Sequence, residues 1–267
     1  MFMLDEILAN KVKEVEEKKK QRSLEKVKEK AVHARAPRDF ESALKQYGIS
    51  LIAEVKRKSP SKGELRADFD ALALARIYTL HGARAISVLA DEKFFGGGAH
   101  VVEWIANDEK VLLPVMYKDF IIDKYQVYEA RSVGADAVLI IVRAVEPKLL
   151  QEMIATVHDL GMSALVECFT AEEAILAVES GARIVGVNNR DLQTFEVDFR
   201  RSEEIRAVLP AQIVTVSESG ISSRADALKA EEIGFEAMLV GEALLKAQDL
   251  VSRVREFAGL LLTQEKR

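Results

Sequence analysis

The hydrophobic pattern of the chain changes after about residue 48. Before that point Leu4, Ile7, Leu8 and Val15 recur at helical spacing among many lysines and glutamates. This spacing predicts an amphipathic helix that rests on a hydrophobic core, because the basic run at 18–22 has glutamates on either side. A helix that binds a partner protein or a membrane surface is the alternative interpretation.

From residue 50 onward, short apolar segments alternate with longer segments of helical periodicity. The predicted strands are SLIAEV from 50, RAISVL from 84, VLLPVM from 111, DAVLIIV from 136, SALVEC from 163, RIVGVN from 183, QIVTVS from 212 and EAMLVG from 236. The helical segments end repeatedly in glycine, at Gly82, Gly134, Gly181 and Gly234, as helices often do. Strict alternation of strand and helix predicts right-handed crossovers and a parallel sheet.

Eight strand–helix units favour a closed barrel over an open doubly wound sheet, which usually has five or six strands. The 267 residues suit one barrel of about 250 residues, and no linker or change of composition divides residues 50–260. We therefore predict an α/β fold, a single (β/α)8 TIM barrel at 49–267, with an N-terminal helical extension at 1–48 packed on it.

Composition narrows the class of protein. Hydrophobic residues make up 49% and charged residues 30%, which excludes a disordered or low-complexity chain. The 38 basic and 43 acidic residues give a net charge of −5, which argues against a protein held to nucleic acid by its overall charge. No apolar run approaches the roughly 20 residues of a membrane span, and the amino terminus lacks the order of a secretory signal. The single cysteine, Cys168, is compatible with a reducing compartment and is predicted to pack in the core. We expect a cytoplasmic protein that binds neither nucleic acid nor membrane.

Polar residues occur at the carboxyl ends of several predicted strands, where barrels of this kind carry their chemistry. They are Glu54 and Lys56 on the first strand, Lys118 on the third, Glu167 on the fifth, Asn188 on the sixth and Glu218 on the seventh. A single lysine or glutamate at a strand end is usually a solvated rim residue. So many at matching positions indicate instead a mixed-charge cluster with mutually tuned pKa values, which is the usual arrangement of general acids and bases.

A candidate phosphate-binding pattern follows the last two predicted strands, in SESGIS from 217 and LVGEAL from 239. Gly220 and Gly241 lie where small residues would let backbone N–H groups converge on a phosphate, although a turn explains either glycine alone. The glycine run at 96–98 lacks the spacing of a dinucleotide-binding loop. Histidine and cysteine are too few and scattered for zinc, and the carboxylates lack a regular oxygen-ligand spacing. The sequence therefore predicts no metal site.

Eight motifs in order resemble those of one family. They are AEVKRKSPSKG, DEKFFGG, KDFIID, GADAVLIIV, LVE, GVNNRDL, VSESGI and LVGEAL, and ILANKVKEV and PRDF match within the extension. The chain resembles indole-3-glycerol phosphate synthase, the barrel enzyme of the tryptophan pathway, over nearly its whole length. The resemblance implies closure of the indole ring of 1-(2-carboxyphenylamino)-1-deoxyribulose 5-phosphate with loss of CO₂ and water, without a cofactor.

The resemblance also implies roles for the matching residues. Lys118 would be the general acid that protonates the substrate carbonyl oxygen, and Glu167 an acid/base in the later step. Lys56 would pair with the substrate carboxylate or supply a proton in dehydration. Glu54 and Asn188 would orient these groups and the sugar hydroxyls.

The remaining implied contacts support or surround the substrate. Glu218 would hydrogen-bond the polar cluster. Phosphate contacts would come from Ser59, Ser219, Gly220, Gly241 and Glu242, and further substrate contacts from Pro60, Phe95, Phe120, Leu139, Arg190 and Leu192, mostly as walls of the anthranilate ring.

The sequence departs from the family pattern at four positions. Tyr117 stands where bacterial members often have arginine and Met116 where leucine is common, and Gly98 and Lys58 replace a frequent serine and alanine. Strand alternation places Tyr117 opposite to Lys118, so we expect little effect on the chemistry.

Three other functions remain open at this stage. They are an isomerase acting on phosphoribosyl anthranilate, an enzyme that uses Lys118 as a Schiff-base nucleophile, and a non-catalytic binder of a phosphate ligand. The sequence also leaves the oligomeric state open, and a monomer is compatible with it.

Overall fold

Eight parallel strands form a closed barrel in the computed structural model, which describes residues 3–60, 63–190 and 198–260. The strands are β1 (Ser50–Val55), β2 (Ala85–Leu89), β3 (Val115–Lys118), β4 (Ala137–Ile141), β5 (Ser163–Cys168), β6 (Ile184–Asn188), β7 (Val214–Glu218) and β8 (Ala237–Val240). Each strand pairs with the next in chain order, and β8 pairs with β1 through Ser50 opposite Ala237. The predicted (β/α)8 barrel is confirmed.

Helices surround the barrel and precede it. They are α1 (Met3–Gln21), α2 (Leu24–His33), α3 (Phe40–Leu44), α4 (Ala71–Leu80), α5 (Ala99–Ala106), α6 (Lys124–Ser132), α7 (Pro147–Asp159), α8 (Ala171–Glu179), α9 (Arg200–Val208), α10 (Arg224–Ile233), α11 (Glu242–Leu245) and α12 (Leu250–Phe257). A short hairpin, Lys58–Ser59 paired with Gly63–Glu64, follows β1, and a 3₁₀ turn at Val142–Ala144 follows β4. The expected N-terminal helix is present, followed by two further helices before β1.

The third strand begins later than the sequence pattern predicts. The apolar run from residue 111 was predicted as strand, but β3 starts at Val115. Pro114 has no N–H to give to a ladder, although its carbonyl accepts from Ile86. Val111 is nevertheless fully buried, in the layer between strands and helices. Burial therefore explains the apolar run, and the strand prediction for 111–114 was wrong.

Glycine is required at the four repeated joints between a helix and the next strand. Gly82, Gly134, Gly181 and Gly234 have φ values of 102°, 92°, 96° and 100°. A side chain is disfavoured in this left-handed region, whereas glycine adopts it freely. The repeated glycines seen in the sequence therefore mark the same turn at four places around the barrel.

Alternation along the strands separates two hydrophobic layers. Side chains such as Ile52, Met116 and Leu165 fill the barrel interior, while their neighbours pack outward against the helices. Phe40 and Leu44 of α3 join the interior layer and are fully buried. Since α3 precedes β1, these two side chains close the barrel at the amino-terminal ends of the strands.

An arginine pair ties the extension to the barrel at that same end. Asp136, just before β4, is fully buried and accepts hydrogen bonds from Arg35 Nη1 at 2.7 Å and Nη2 at 2.8 Å. It also accepts from the backbone N–H groups of Arg38 and Val115. One carboxylate thus joins the segment after α2 to the start of β3.

Within the described residues, the helices are all too short or too polar to cross a bilayer.

Asp136→Ala is expected to destabilise the protein by about 3–5 kcal/mol, because it leaves the Arg35 guanidinium and two backbone N–H groups without their acceptor. Urea unfolding of the variant and the wild type measures this difference. The exposed Asp5→Ala on α1 is the matched control, with an expected change within about 0.5 kcal/mol. Equal stabilities of the Asp136 and Asp5 variants would contradict the anchoring role.

Candidate active site

Alternating charges meet at the carboxyl ends of β1, β3 and β7. Lys118 Nζ lies 3.2 Å from Glu54 Oε2 and 3.2 Å from Glu218 Oε2. Lys56 donates to the other Glu54 oxygen, Oε1. The residues run Lys56, Glu54, Lys118, Glu218, so that each charge has an opposite neighbour.

This alternation of charges fixes the protonation states of Lys118 and Glu54. Burial by itself would lower the pKa of Lys118, but the negative charges of Glu54, Glu218 and Glu167 outweigh it and raise the pKa above its ordinary value of 10.5. Burial would raise the pKa of Glu54, yet Lys56 and Lys118 together lower it to about 2. Lys118 is therefore an ammonium and Glu54 a carboxylate throughout the physiological range.

The pKa of Glu167, on β5, is raised, whereas that of Glu54 is lowered. Burial and the neighbouring charge of Glu218 raise its pKa from 4.5 to about 8, and Lys118 and a hydrogen bond from Asn188 offset only part of that rise. Asn188 Oδ1 accepts from the N–H of Arg190 at 3.0 Å, which leaves the amide NH₂ for Glu167. At neutral pH Glu167 keeps its proton, and this proton can be donated to the Glu218 carboxylate.

Two glycines make room for these carboxylates. A Cβ on Gly186 of β6 would overlap Glu218 Oε1, and a Cβ on Gly241 would overlap Glu54 Oε1. Neither glycine has a positive φ. Their lack of a side chain therefore matters for close approach and not for backbone conformation.

A cavity of about 870 Å³ opens above this cluster. Phe95 and Phe120 pack on each other at its wall, with ring centroids 6.0 Å apart and planes tilted by 33°. Leu139, from the barrel interior, forms part of its floor. The cavity is of the size and mixed apolar and polar character typical of small-molecule sites.

The far side of the cavity presents backbone N–H groups. Ser219 and Gly220 follow β7 with φ values of 65° and 83°, and Gly241 follows β8 at the start of α11. Among the described residues, no protein acceptor receives the N–H of Gly220 or Gly241. Serine is rarely found at such a φ, and this kind of backbone strain clusters at functional sites.

All but one of the residues proposed from the sequence line this cavity. They are Glu54, Lys56, Ser59, Pro60, Phe95, Lys118, Phe120, Leu139, Glu167, Asn188, Arg190, Glu218, Ser219, Gly220, Gly241 and Glu242. Leu192 lies outside the described residues.

Comparison with known proteins decides the family. The family model for indole-3-glycerol phosphate synthase matches residues 4–257. A synthase of that name from Dehalococcoides mccartyi is 44% identical over 257 residues, which cover 96% of this chain and 99% of the relative. One from Roseiflexus castenholzii is 46% identical over 266 residues, which cover 97% and 99%. The chain belongs to the indole-3-glycerol phosphate synthase family.

Solved structures extend the likeness of fold beyond this family. Thiamine phosphate pyrophosphorylase from Pyrococcus furiosus has a TM-score of 0.60 at 17% identity, covering 79% of this chain and 95% of that chain. Mandelate oxidase with benzoyl-formic acid has a TM-score of 0.59 at 19% identity, covering 85% and 77%. At these identities the likeness shows the barrel fold and nothing more.

Two departures from the family pattern have a structural account. Tyr117 points away from the cavity, and its hydroxyl donates to Glu129 Oε2 at 3.1 Å. Gly98 has a φ of 155° at the start of α5, and a Cβ there would overlap the ring of His100. Cys168 is buried in the outer layer, as predicted.

Sequence reasoning missed the part of the cavity wall that comes from distant segments. Met3, Leu4 and Ile7 of α1 line it, as do Lys246 and Arg253 beyond β8. The helical spacing of Leu4 and Ile7 was visible in the sequence, but nothing in that spacing names the surface it covers. Among the described residues, no cluster of three or more histidine, cysteine, aspartate or glutamate side chains is arranged to hold a metal ion.

Glu167→Gln is expected to change the pH dependence of stability. Because folding raises the pKa of Glu167 from 4.5 to about 8, the unfolded chain releases this proton first, and the wild type loses stability as pH rises across that window. Glutamine does not titrate, so the unfolding free energy of the variant minus that of the wild type should increase between these pH values and then level off. Urea unfolding of both proteins at several pH values measures this difference in unfolding free energy. A difference that stays constant with pH would contradict the assigned pKa.

Gly241→Ala is expected to lower kcat by about tenfold or more, because the new methyl group displaces the Glu54 carboxylate from Lys118 and Lys56. Steady-state kinetics of the full-length protein measures the loss. The control is Gly48→Ala, before β1 at the opposite end of the barrel, where the φ of 75° makes alanine unfavourable but a Cβ would come no closer than 3.9 Å to Glu231 Oε1. This control should lose stability and keep its kcat. An unchanged kcat in Gly241→Ala would contradict the clearance argument.

Proposed function

We propose that this protein is an indole-3-glycerol phosphate synthase, which closes the indole ring of 1-(2-carboxyphenylamino)-1-deoxyribulose 5-phosphate with release of CO₂ and water. One observation carries the proposal beyond family membership. A permanently charged ammonium, Lys118, and a carboxyl that keeps its proton at neutral pH, Glu167, line the same cavity. The reaction needs two separate proton donors, and these groups can supply them.

The cavity offers a place for each end of the substrate. The phosphate is assigned to the N–H groups of Gly220 and Gly241, with Ser59, Ser219 and Glu242 around it. The two glycine N–H groups suit an anion because, within the described residues, neither has a protein acceptor. The anthranilate ring is assigned to the apolar wall that Phe95 and Phe120 form together, with Pro60 and Leu139 as further walls. Arg190 and Asn188 remain for the sugar hydroxyls.

Lys118 is assigned the first chemical step. The ring carbon that bears the carboxylate attacks the ketone carbon, a C–C bond forms, and the carbonyl electrons move to oxygen, which takes a proton from the ammonium. A charged donor directed at a developing oxyanion is worth roughly 3–4 kcal/mol of transition-state stabilisation. Glu54 and Glu218 support this role because they keep Lys118 protonated and hold its Nζ between them.

Loss of CO₂ and water completes the ring. The bond to the carboxylate breaks, and its electron pair restores the aromatic ring. Lys56 is assigned to pair with that carboxylate before it leaves. Glu167 is assigned to donate a proton to the departing hydroxyl, for which its pKa of about 8 suits neutral pH. A base must also remove the neighbouring ring hydrogen, and Glu167, which became a carboxylate when it protonated the hydroxyl, is suited to do so. The Lys118 amine regains its proton from solvent, which supplies the one proton that the overall reaction consumes.

The alternatives are less well supported. A Schiff-base lysine must lose its proton to attack a carbonyl, whereas the surroundings of Lys118 raise its pKa. An isomerase acting on phosphoribosyl anthranilate would not be expected to need the paired lysines of β1 and β3. A non-catalytic binder would gain nothing from an ammonium held between two carboxylates.

We further propose that the enzyme acts in the cytoplasm on this small-molecule substrate, since the lone cysteine suits a reducing compartment.

Lys118→Met is expected to lower turnover by about 10²–10³-fold, the usual cost of removing one donor to an oxyanion. The assay mixes the carboxyphenylamino deoxyribulose phosphate with full-length protein and follows the absorbance of the indole product. The control is Lys20→Met, on the exposed side of α1 where Lys20 pairs with Glu17 of the same helix. No indole product from folded wild-type protein would refute the proposed function, and a fully active Lys118→Met would refute the assigned acid.

A further inference from the structure

A buried lysine outside the reaction cluster connects the N-terminal helix to the site. Lys11 of α1 is fully buried, and its Nζ lies 2.8 Å from Asp119 Oδ1, 3.0 Å from Asp91 Oδ2 and 2.9 Å from Glu14 Oε2. Asp91 and Asp119 belong to the barrel, whereas Glu14 is on the same helix. Nothing in the proposed mechanism uses this ammonium.

The first aspartate organises the loop that follows β2. Asp91 Oδ1 accepts the backbone N–H groups of Phe94 at 2.7 Å and Phe95 at 3.2 Å. Its backbone carbonyl accepts from Gly97 at 2.8 Å. The position of Phe95, one of the two aromatic walls, therefore depends on where the Asp91 side chain is held.

The second aspartate lies at the end of β3. Asp119 directly follows Lys118, and its Oδ1 accepts the N–H of Phe120, the other aromatic wall, at 2.8 Å. The Lys118 carbonyl accepts from Ala90, next to Asp91. The two aspartates thus belong to neighbouring backbone segments that carry Phe95 on one side and Lys118 with Phe120 on the other.

We infer that Lys11 is a positioning residue for the proposed reaction: its ammonium bridges Asp91 and Asp119 and so fixes the two aromatic walls and Lys118 relative to each other. The inference rests on the proposed function. Rings at a centroid separation of 6.0 Å pack on each other, so Phe95 and Phe120 form one wall whose shape changes if either supporting aspartate moves. A site of this kind works only if its support holds it to within about 0.5 Å.

Charge burial argues that this bridge is specific. The carboxylates of Asp91 and Asp119 are both buried, and in the described part of the chain Asp119 Oδ2 lacks a hydrogen-bond partner. Such a cluster costs desolvation energy that a hydrophobic contact would not, so its value lies in the one geometry it permits. The same helix face carries Leu4 and Ile7, seven and four residues before Lys11, into the cavity wall. The bridge therefore also sets where α1 meets the substrate.

The test compares three full-length variants with the wild type in the indole assay. Lys11→Met removes the ammonium but leaves two buried carboxylates facing each other, which can prevent folding. Lys11→Met/Asp91→Asn removes one of those charges as well, while the amide oxygen introduced at position 91 can still accept from Phe94 and Phe95. Lys20→Met is the surface control on the same helix. Circular dichroism checks folding, and inhibition by inorganic phosphate reports on the N–H groups of Gly220 and Gly241.

The expected result is that folded Lys11→Met/Asp91→Asn loses about tenfold or more in kcat, whereas the inhibition constant for phosphate stays within about twofold. Lys20→Met should match the wild type. A double variant with wild-type kcat and KM would overturn the inference. Lys11 would then only neutralise the buried carboxylates of Asp91 and Asp119 and would not position the site. A phosphate constant that worsens in parallel with kcat would also overturn it, since the whole site would be distorted. A wild type that forms no indole product would overturn the proposed function, and the inference with it.

Discussion

The ammonium of Lys118 between the carboxylates of Glu54 and Glu218 is the interaction on which the site depends. A barrel interior is otherwise apolar, so a charge at its mouth must be matched by opposite charges at hydrogen-bonding distance. The strands satisfy this condition because all the parallel strands of the closed barrel end at the same rim, so that residues from β1, β3 and β7 meet across its mouth. The same match keeps Lys118 charged, while burial and the neighbouring charge of Glu218 raise the pKa of Glu167 and keep its proton in place.

The close packing of these charged side chains requires glycine at two positions beside them. Gly186 and Gly241 leave the space that the carboxylates of Glu218 and Glu54 occupy. The glycine after β8 therefore has two functions at once, since its N–H is also assigned to the phosphate. Requirements of packing and of ligand binding coincide in a single backbone position.

Much of this could be predicted from the sequence because it follows from local periodicity. Side chains two apart on a strand share a face, which placed Glu54 with Lys56 and separated Lys118 from Tyr117. Periodicity failed where burial had another cause, as in the apolar run before Pro114. It also gave no sign of contacts between segments far apart in the chain. Lys11 reads as one of many lysines on a charged helix, and only the fold shows that it lies between Asp91 and Asp119.

The extension and the barrel are joined at both ends of the strands. Asp136 with Arg35 holds the amino-terminal end, and Lys11 with its two aspartates holds the end that carries the cavity. Residues 3–7 therefore reach the cavity from an extension that is attached at both ends of the barrel. The cavity wall is completed by a part of the chain that precedes the barrel.

The protonation state of Glu167 tests the account most directly. Infrared difference spectroscopy of the wild type and of Glu167→Gln isolates the carboxyl C=O band of this residue as pH is varied. The account predicts a protonated carboxyl at pH 7 whose band disappears at a pH of about 8. Titration near the ordinary value of 4.5 would show that Glu167 is ionised beside Glu218, which would contradict the two-donor arrangement.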